Sequence, residues 1–403
     1  MSNFPKFDSH IATPWDHLDK EMSDMFDVLR ACLFTDEDVN LLDWQSVFNE
    51  MKQQTVAALP GIWLRSHLDA EPWLSYCTLQ LAQWVRVMHA QDKLLQLLET
   101  NNIPCVILKG AAAAMAYPHP MLRTMGDVDI LVKRSDFEST ATLLESNGYV
   151  LTEERDSTSH HYAYAKDHIS FELHKRIPIV SESDEKWMSL FEKGIDLREW
   201  HETKGHRFPV LPKLLNGLVL IFHIDQHLRE ALGLRQIIDW MMYVHTLPQD
   251  KWEELQPLLK SAGVERLALT TTVMCQRYLG LREIVEEDNS YPVDDLMSYI
   301  LEKGNFGKKA GLDGKIATFG LSSTERGGFF RRLQAGGMSR WEAAKKHPVL
   351  RPFAWIYQAF RILDLMISNK KSPIKILQQG RHGVEQRQLI EALGLKMDRT
   401  INQ

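Results

Sequence analysis

The chain has 403 residues, of which 44% are hydrophobic and 25% are charged, and its formal net charge is −6. This is the composition of a globular protein with enough length for two or three domains. The mild acidity argues against bulk binding of nucleic acid, which usually requires an excess of basic residues. The four scattered cysteines include no CxxC pair, which excludes a zinc knuckle and a thioredoxin-like site and favours a reducing compartment.

No segment of the sequence is typical of secretion or of a membrane span. The N-terminus contains acidic side chains and lacks the apolar core of a signal peptide. No apolar run reaches the roughly 20 residues that cross a bilayer. The longest run, 214–224, is followed at once by charged residues. The sequence therefore predicts a cytoplasmic protein without a membrane partner.

The first part of the chain, residues 1–100, has the periodicity of helices. Apolar side chains recur every three or four positions in 25–32 and again in 81–88. The second of these helices should continue to Thr100 and end before Pro104. We therefore expect an N-terminal helical region.

Residues 101–180 change to an α/β pattern. Four short runs have the length and composition of β-strands, and they are 105–108, 128–132, 161–165 and 169–177. Helices are predicted at 110–117 and 135–147, and the last two strands should form a hairpin. The order strand, helix, strand, helix, strand, strand indicates a small α/β unit.

Residues 181–403 are predicted to be mainly helical. The predicted helices are 184–193, 212–231, 233–246, 250–262, 264–279, 293–303, 339–347, 351–368 and 383–394. A segment rich in glycine and basic residues, 304–337, interrupts them as a loop. Its basic part, 307–332, either binds an anionic partner or is a solvated loop. The predicted fold class is α+β, with a small sheet unit embedded in a mainly helical chain.

Three carboxylates in the α/β unit form a candidate metal site. Asp127 and Asp129 stand two residues apart at the start of a strand, so the strand's period of two places them on one face. Glu172 alternates with the apolar Phe171 and Leu173, which places it on the opposite face from them. Carboxylates held together repel one another, and a divalent cation such as Mg²⁺ or Mn²⁺ relieves that repulsion. A solvated edge strand is the alternative, because Asp-x-Asp is a common tripeptide.

Positively charged residues near these carboxylates predict a phosphate site. Lys109 and Gly110 follow the first strand, where a close backbone approach and free helix N–H groups suit phosphate. Arg123 precedes the Asp-x-Asp motif and could bind a triphosphate through two N–H groups. Plain surface charge is the alternative for both side chains.

Taken together, these motifs resemble those of the bacterial nucleotidyltransferase-family proteins, which belong to the DNA polymerase beta-like superfamily. The segments that carry the resemblance are Leu108-Lys109-Gly110, Tyr117-Pro118, Arg123, Gly126-Asp127-Val128-Asp129-Ile130-Leu131-Val132, Gly148-Tyr149 and Glu172-Leu173-His174. His223, His227, Leu234-Arg235 and Asp239-Trp240 resemble the helical region of the same family. The likeness covers roughly residues 80–280.

The resemblance implies a nucleotidyltransferase-type mixed sheet with flanking helices. It implies that the chain transfers a nucleoside monophosphate from an NTP to an acceptor hydroxyl and releases pyrophosphate. Asp127, Asp129 and Glu172 would be catalytic and would hold Mg²⁺. Lys109, Gly110 and Arg123 would bind the nucleotide.

The acceptor, a small molecule or a protein, is not specified by the sequence. One alternative is a non-catalytic nucleotide-binding or partner-docking protein on the same fold. Another is an antitoxin-like protein that nucleotidylates a partner protein. Gly110-Ala111 stands where the superfamily carries Gly-Ser or Gly-Gly, so Lys109 is expected to replace the missing hydroxyl.

Other polar residues have more than one interpretation. His223 and His227 are four residues apart and could bind zinc, although structural histidines or substrate contacts fit the spacing better. Arg235 and Asp239 have the spacing of a helix ion pair, or they line a cleft. The predicted hairpin carries four histidines that could contact substrate, and they are His160, His161, His168 and His174.

Overall fold

The computed structural model describes most of the chain up to residue 304. The described residues are 20–304 except 42, 68, 69, 154, 156–158, 182 and 231, some residues between 334 and 360, and 386–396. The predicted basic loop at 307–332 lies outside them, and the predicted helices beyond residue 339 are described only in part. No helix in the described ranges is long and apolar enough to cross a bilayer.

Helices form the N-terminal part of the described chain. They are α1 (Lys20–Arg30), α2 (Trp44–Gln53), α3 (Gly61–His67) and α4 (Glu71–Thr100). A π-helical turn, Ala31–Thr35, extends α1. The long α4 ends at Thr100 with Asn101 as its C-cap, before Pro104 and β1, as the sequence predicts.

Seven strands form one mixed sheet. They are β1 (Cys105–Leu108), β2 (Val128–Val132), β3 (Val150–Leu151), β4 (His161–Lys166), β5 (Ile169–His174), β6 (Glu199–Thr203) and β7 (His206–Val210). Their order is β3-β4-β5-β2-β1-β7-β6. The pairs β2/β5 and β1/β7 are parallel, and the other neighbours are antiparallel. This arrangement confirms the predicted α+β class with a mixed sheet.

The sheet extends further along the chain than the sequence predicts. The strands β6 and β7 follow residue 180, where only helices were expected. Most of β6 is exposed at the edge of the sheet, so it lacks the buried alternation that identifies a strand in a sequence. Pro209 also interrupts the apolar pattern of β7.

The remaining helices flank the sheet and form the C-terminal region. They are α5 (Gly110–Ala114), α6 (Phe137–Ser146), α7 (Glu185–Asp196), α8 (Lys213–Glu230), α9 (Leu234–Thr246), α10 (Gln249–Ser261), α11 (Glu265–Leu279) and α12 (Val293–Lys303). Each corresponds to a predicted helix to within a few residues. Apolar residues of α8 and α9 share a hydrophobic core with Val106, Leu108 and Leu131 of the sheet.

The two faces of the sheet pack into different hydrophobic cores. One face, with Ile130, Phe171 and Leu173, packs against apolar residues of α4 and α6. The other face contributes its apolar residues to a larger core that includes α1–α3 and α8–α12. The described parts of 1–100 and 181–403, which the sequence predicts as separate regions, therefore share a core. The polar residues of the candidate site lie on this second face.

Candidate active site

The centre of the site is a pair of carboxylates on neighbouring strands. β2 and β5 run parallel, and their register places Asp129 directly beside Glu172. The flanking residues Val128, Ile130 and Phe171 point into the core on the other face, so the alternation of the strands brings both carboxylates to one face. Asp129 is only 3% exposed, whereas Glu172 retains 26% of its side-chain exposure.

Asp127 lies at the edge of this carboxylate pair. It precedes the first residue of β2 and is partly exposed. The side chain of Asp127 forms no hydrogen bond or ion pair with another described residue, whereas Asp129 contacts both Lys109 and His174. Asp129, Glu172 and His174 form one group of side chains that is close enough to share a metal ion, and Asp127 is not part of it. The membership of Asp127 in a metal site stays a prediction.

Lys109 contacts the carboxylate pair from the turn after β1. Lys109 and Gly110 both have a positive φ, +48° and +37°, so the chain reverses sharply between β1 and the five-residue helix α5. This turn directs Lys109 Nζ to 2.7 Å from Asp129 Oδ1. Burial opposes the ammonium charge, but Asp129 and the other nearby carboxylates outweigh it and raise the pKa of Lys109.

His174 links the two carboxylates. Its Nε2 lies 3.1 Å from Asp129 Oδ1 and 3.1 Å from Glu172 Oε2. Burial opposes the charge of Glu172, but the hydrogen bond from His174 and the charge of Lys109 lower the pKa of Glu172 to about 2. The same hydrogen bonds overcome burial and raise the pKa of His174. The carboxylates are therefore compensated by Lys109 and His174 and do not simply repel one another.

Arg123 forms a buried ion pair with Asp239. Its Nε and Nη2 donate to Asp239 Oδ1 and Oδ2 at 2.7 and 2.6 Å, and both side chains are at least 96% buried. Tyr117 Oη donates to the same Oδ1 at 2.7 Å. Both oxygens of Asp239 are thus occupied by residues far away in sequence. Arg123 therefore has a partner within the protein, and its predicted contact with phosphate stays a prediction.

Arg235 is a cation near the site that has no partner among the described residues. It lies one helical turn before Asp239 on α9, but Asp239 forms its ion pair with Arg123. Arg235 makes no hydrogen bond or ion pair with any described residue, and its Nε is buried and unpaired. Burial and the neighbouring charge of Arg123 lower the pKa of Arg235, while Asp127 acts in the opposite direction. This guanidinium is therefore available to an anionic ligand.

His223 and His227 form a buried pair on α8. Their Nε2 atoms are 2.7 Å apart, and the described residues provide no third ligand that would complete a zinc site with them. Burial lowers the pKa of His227 to about 3. His223 lines a small cavity together with Lys109 and His174, so the pair lies close to the carboxylates. The zinc interpretation thus has no support, while a structural or substrate-contact role is consistent with this position.

The histidines of the hairpin divide into a cluster and an outlier. The rings of His160, His161 and His174 pack together, with centroids 4.3 to 5.6 Å apart. His168 is exposed in the turn between β4 and β5, away from the cluster. Sequence reasoning named these histidines but did not connect His174 with the carboxylates. Its position two residues after Glu172 on one strand was the available signal.

Comparison with known proteins places the chain in a family. A family model described as "Uncharacterised nucleotidyltransferase" matches residues 40–280, more than half of the chain. No curated protein matches the sequence. Solved structures with partial similarity include the antibiotic-resistance factor ANT(2'')-Ia, at 15% identity and a TM-score of 0.32 over 45% of this chain and 93% of that one. Another is an antigenic nucleotidyltransferase-like protein from Paracoccidioides brasiliensis, at 18% identity and a TM-score of 0.29 over 44% of this chain and 91% of that one. The match over residues 40–280 shows that the chain belongs to the family of uncharacterised nucleotidyltransferases.

Proposed function

We propose that the protein transfers a nucleoside monophosphate from an NTP to an acceptor hydroxyl and releases pyrophosphate. The observation that carries this proposal is the register of β2 and β5, which aligns Asp129 with Glu172 on the polar face of the sheet. Asp127 lies two residues before Asp129 and has no partner among the described residues. In this proposal the three carboxylates together hold the metal ions that assist an in-line phosphoryl displacement.

A divalent cation, Mg²⁺ or Mn²⁺, fits this group of residues. The ligands are carboxylate oxygens, which such hard cations prefer. Lys109 Nζ already contacts Asp129 Oδ1, which supports the idea that this position attracts positive charge. We propose that Asp127, Asp129 and Glu172 hold the ion. When bound, it would lower the pKa of the acceptor hydroxyl and neutralise charge on the leaving pyrophosphate.

Lys109 and Arg235 are the proposed phosphate ligands. Lys109 extends from the turn at Gly110, and it can exchange its contact with Asp129 for a phosphate oxygen once a metal ion occupies the carboxylates. Arg235 replaces Arg123 in this role, because Arg123 is held by Asp239 and Arg235 has an unpaired buried Nε. In this proposal Arg123 and Asp239 fix the loop before β2 and so position the Asp-x-Asp motif.

The acceptor is a small molecule or a protein. Two other interpretations, a non-catalytic binder and an antitoxin-like protein, predict different results in an activity assay. A non-catalytic binder would take up NTP without forming a product. An antitoxin-like protein would place the nucleotide on another protein. Because Lys109 and His174 compensate the carboxylates, their retention does not by itself require catalysis, and the question has to be settled by activity.

The test is the transfer of label from [α-³²P]NTP. The purified protein is incubated with each of the four NTPs, Mg²⁺ or Mn²⁺, and a cell lysate separated into small molecules and proteins. We expect one acceptor to become labelled by the wild type and not by Asp127→Ala, which removes a carboxylate without breaking a described contact. The matched control is Asp167→Asn, which removes a carboxylate from the exposed hairpin turn, where asparagine tolerates the positive φ. Labelling by Asp127→Ala at the wild-type rate would contradict the proposal.

A further inference from the structure

We propose that His160, His161 and His174 bind one divalent transition-metal ion of the zinc class, at a site distinct from the three carboxylates. The cluster lies where β4 begins and β5 ends. The inference depends on the histidines alone and does not require that the protein transfers nucleotides.

The backbone holds the three imidazoles together. His161 and His174 are directly opposite each other in the antiparallel ladder between β4 and β5, and His160 immediately precedes β4. Each of the three residues offers a nitrogen, and these nitrogens all lie within 4.8 Å of one another. His161 Nδ1 and His160 Nε2 are 2.9 Å apart. Small rotations of the side chains are therefore sufficient to bring three nitrogens to one ion.

The environment of His174 favours a ligand on its second ring nitrogen. The side chain is 1% exposed, and its Nε2 is engaged by Asp129 and Glu172. Its Nδ1 is buried and has no hydrogen-bond partner among the described residues. Buried polar atoms are nearly always paired, so an unpaired one calls for an explanation. Metal-bound histidines commonly give their second nitrogen to a carboxylate, which is what Nε2 does here.

The chemistry of the three ligands selects the class of metal. Three imidazole nitrogens suit Zn²⁺ and its neighbours, whereas Mg²⁺ prefers oxygen ligands. A set of three histidines leaves a fourth position open, as in many zinc sites. An ion on the cluster would fix the ring of His174, so that its Nε2–H stays directed at Asp129 and Glu172. The cluster would thereby hold the nucleotidyltransferase carboxylates in place.

Cobalt and zinc binding to the full chain test this site without any nucleotide. The protein is stripped with a chelator and titrated with Co²⁺, because four- or five-coordinate Co²⁺ absorbs visible light far more strongly than the hydrated ion. In a parallel measurement, the zinc retained after dialysis is determined by mass spectrometry. We expect one equivalent of each metal in the wild type.

Histidine variants test whether the bound metal ion is held by the three histidines. His161→Gln, and His160→Gln if it folds, should weaken binding by more than about 100-fold, since even the loss of an outer-shell partner weakens metal binding by about 10–100-fold. His168→Gln, which changes an exposed histidine in the same hairpin, should bind like the wild type. Asp127→Asn should also retain the cobalt absorption. Circular dichroism confirms that each variant is folded.

Two results would overturn the inference. One is a wild-type protein that develops no cobalt absorption and retains no zinc. The other is cobalt absorption that survives unchanged in folded His161→Gln, because the ion would then be bound by other ligands, such as Asp129, Glu172 and His174.

Discussion

The ion pair between Arg123 and Asp239 gives a prediction that separates a structural arginine from a phosphate ligand. Asp239 is 1% exposed and Arg123 is 4% exposed, and two hydrogen bonds join them. Removing one member of such a pair leaves a buried charge and typically costs about 3–5 kcal/mol of unfolding free energy. Asp239→Leu should be the more damaging change, because it also leaves the hydroxyl of Tyr117 without its acceptor. The unpaired buried hydroxyl should lower the unfolding free energy by about 1–3 kcal/mol more, the cost of an unsatisfied buried polar group.

Urea denaturation of four proteins measures this effect. They are the wild type, Arg123→Met, Asp239→Leu and the double variant, which should lose less stability than the sum of the single variants because neither charge remains. Arg134→Met is the matched control, since Arg134 forms ion pairs with Glu185 and Glu192 at the surface. Exposed pairs contribute only about 0–1 kcal/mol.

One combination of results would contradict a purely structural role for Arg123. Arg123→Met would be no less stable than Arg134→Met, the double variant would be additive, and the affinity for NTP would fall in Arg123→Met. Arg123 would then be the phosphate ligand that the sequence predicts.

Three further predictions concern the site and its surroundings. Arg235→Gln should weaken NTP binding in calorimetry roughly tenfold to hundredfold, because it removes a charge-assisted contact of about 1.5–3 kcal/mol. The substitution should not lower the unfolding free energy. An unchanged affinity for NTP would show that Arg235 does not bind the nucleotide. Lys109→Met should weaken NTP binding but strengthen binding of Mn²⁺ alone, measured by electron paramagnetic resonance, because Lys109 competes for Asp129; unchanged Mn²⁺ affinity would contradict this competition. Burial lowers the pKa of His227 to about 3, from the ordinary value of 6.5. As the pH falls below 6.5, His227 is therefore protonated in the unfolded chain before it is protonated in the folded protein, and the unfolding free energy decreases. His227→Gln should reduce that loss by about 1.4 kcal/mol per pH unit between pH 6 and 4, and an unchanged slope in urea denaturation would show that His227 does not contribute to it.

The sequence predicts most of the fold because the central strands are short, apolar and buried. The runs 105–108 and 128–132 became β1 and β2, and the hairpin formed at 161–174. The edge strand β6 could not be found in this way, because an exposed strand carries no periodic burial. Which helices share a core also depends on long-range packing, as in the contact between Phe26 of α1 and Tyr278 of α11.

In the candidate site, too, the contacts between residues distant in sequence could not be predicted from local patterns. The period of two along a strand was sufficient to predict that Asp127 and Asp129 share one face and that Glu172 lies opposite Phe171 and Leu173. It could not show that Asp129 lies beside Glu172 or that Lys109 contacts Asp129. The partner of Arg123 lies 116 residues away in sequence, at Asp239. The helical spacing of Asp239 and Arg235 favoured an ion pair between those two instead. Tertiary contacts outweighed the local pattern, and they left Arg235 unpaired.

The most direct test of nucleotidyl transfer is the identity of the leaving group. The protein is incubated with [γ-³²P]NTP, the metal ion and the acceptor-containing fraction, and the labelled products are separated by chromatography. The account predicts label in pyrophosphate, formed by the wild type and absent with Asp127→Ala. Label in the acceptor, with no labelled pyrophosphate, would show transfer of the γ-phosphate and would contradict nucleotidyl transfer.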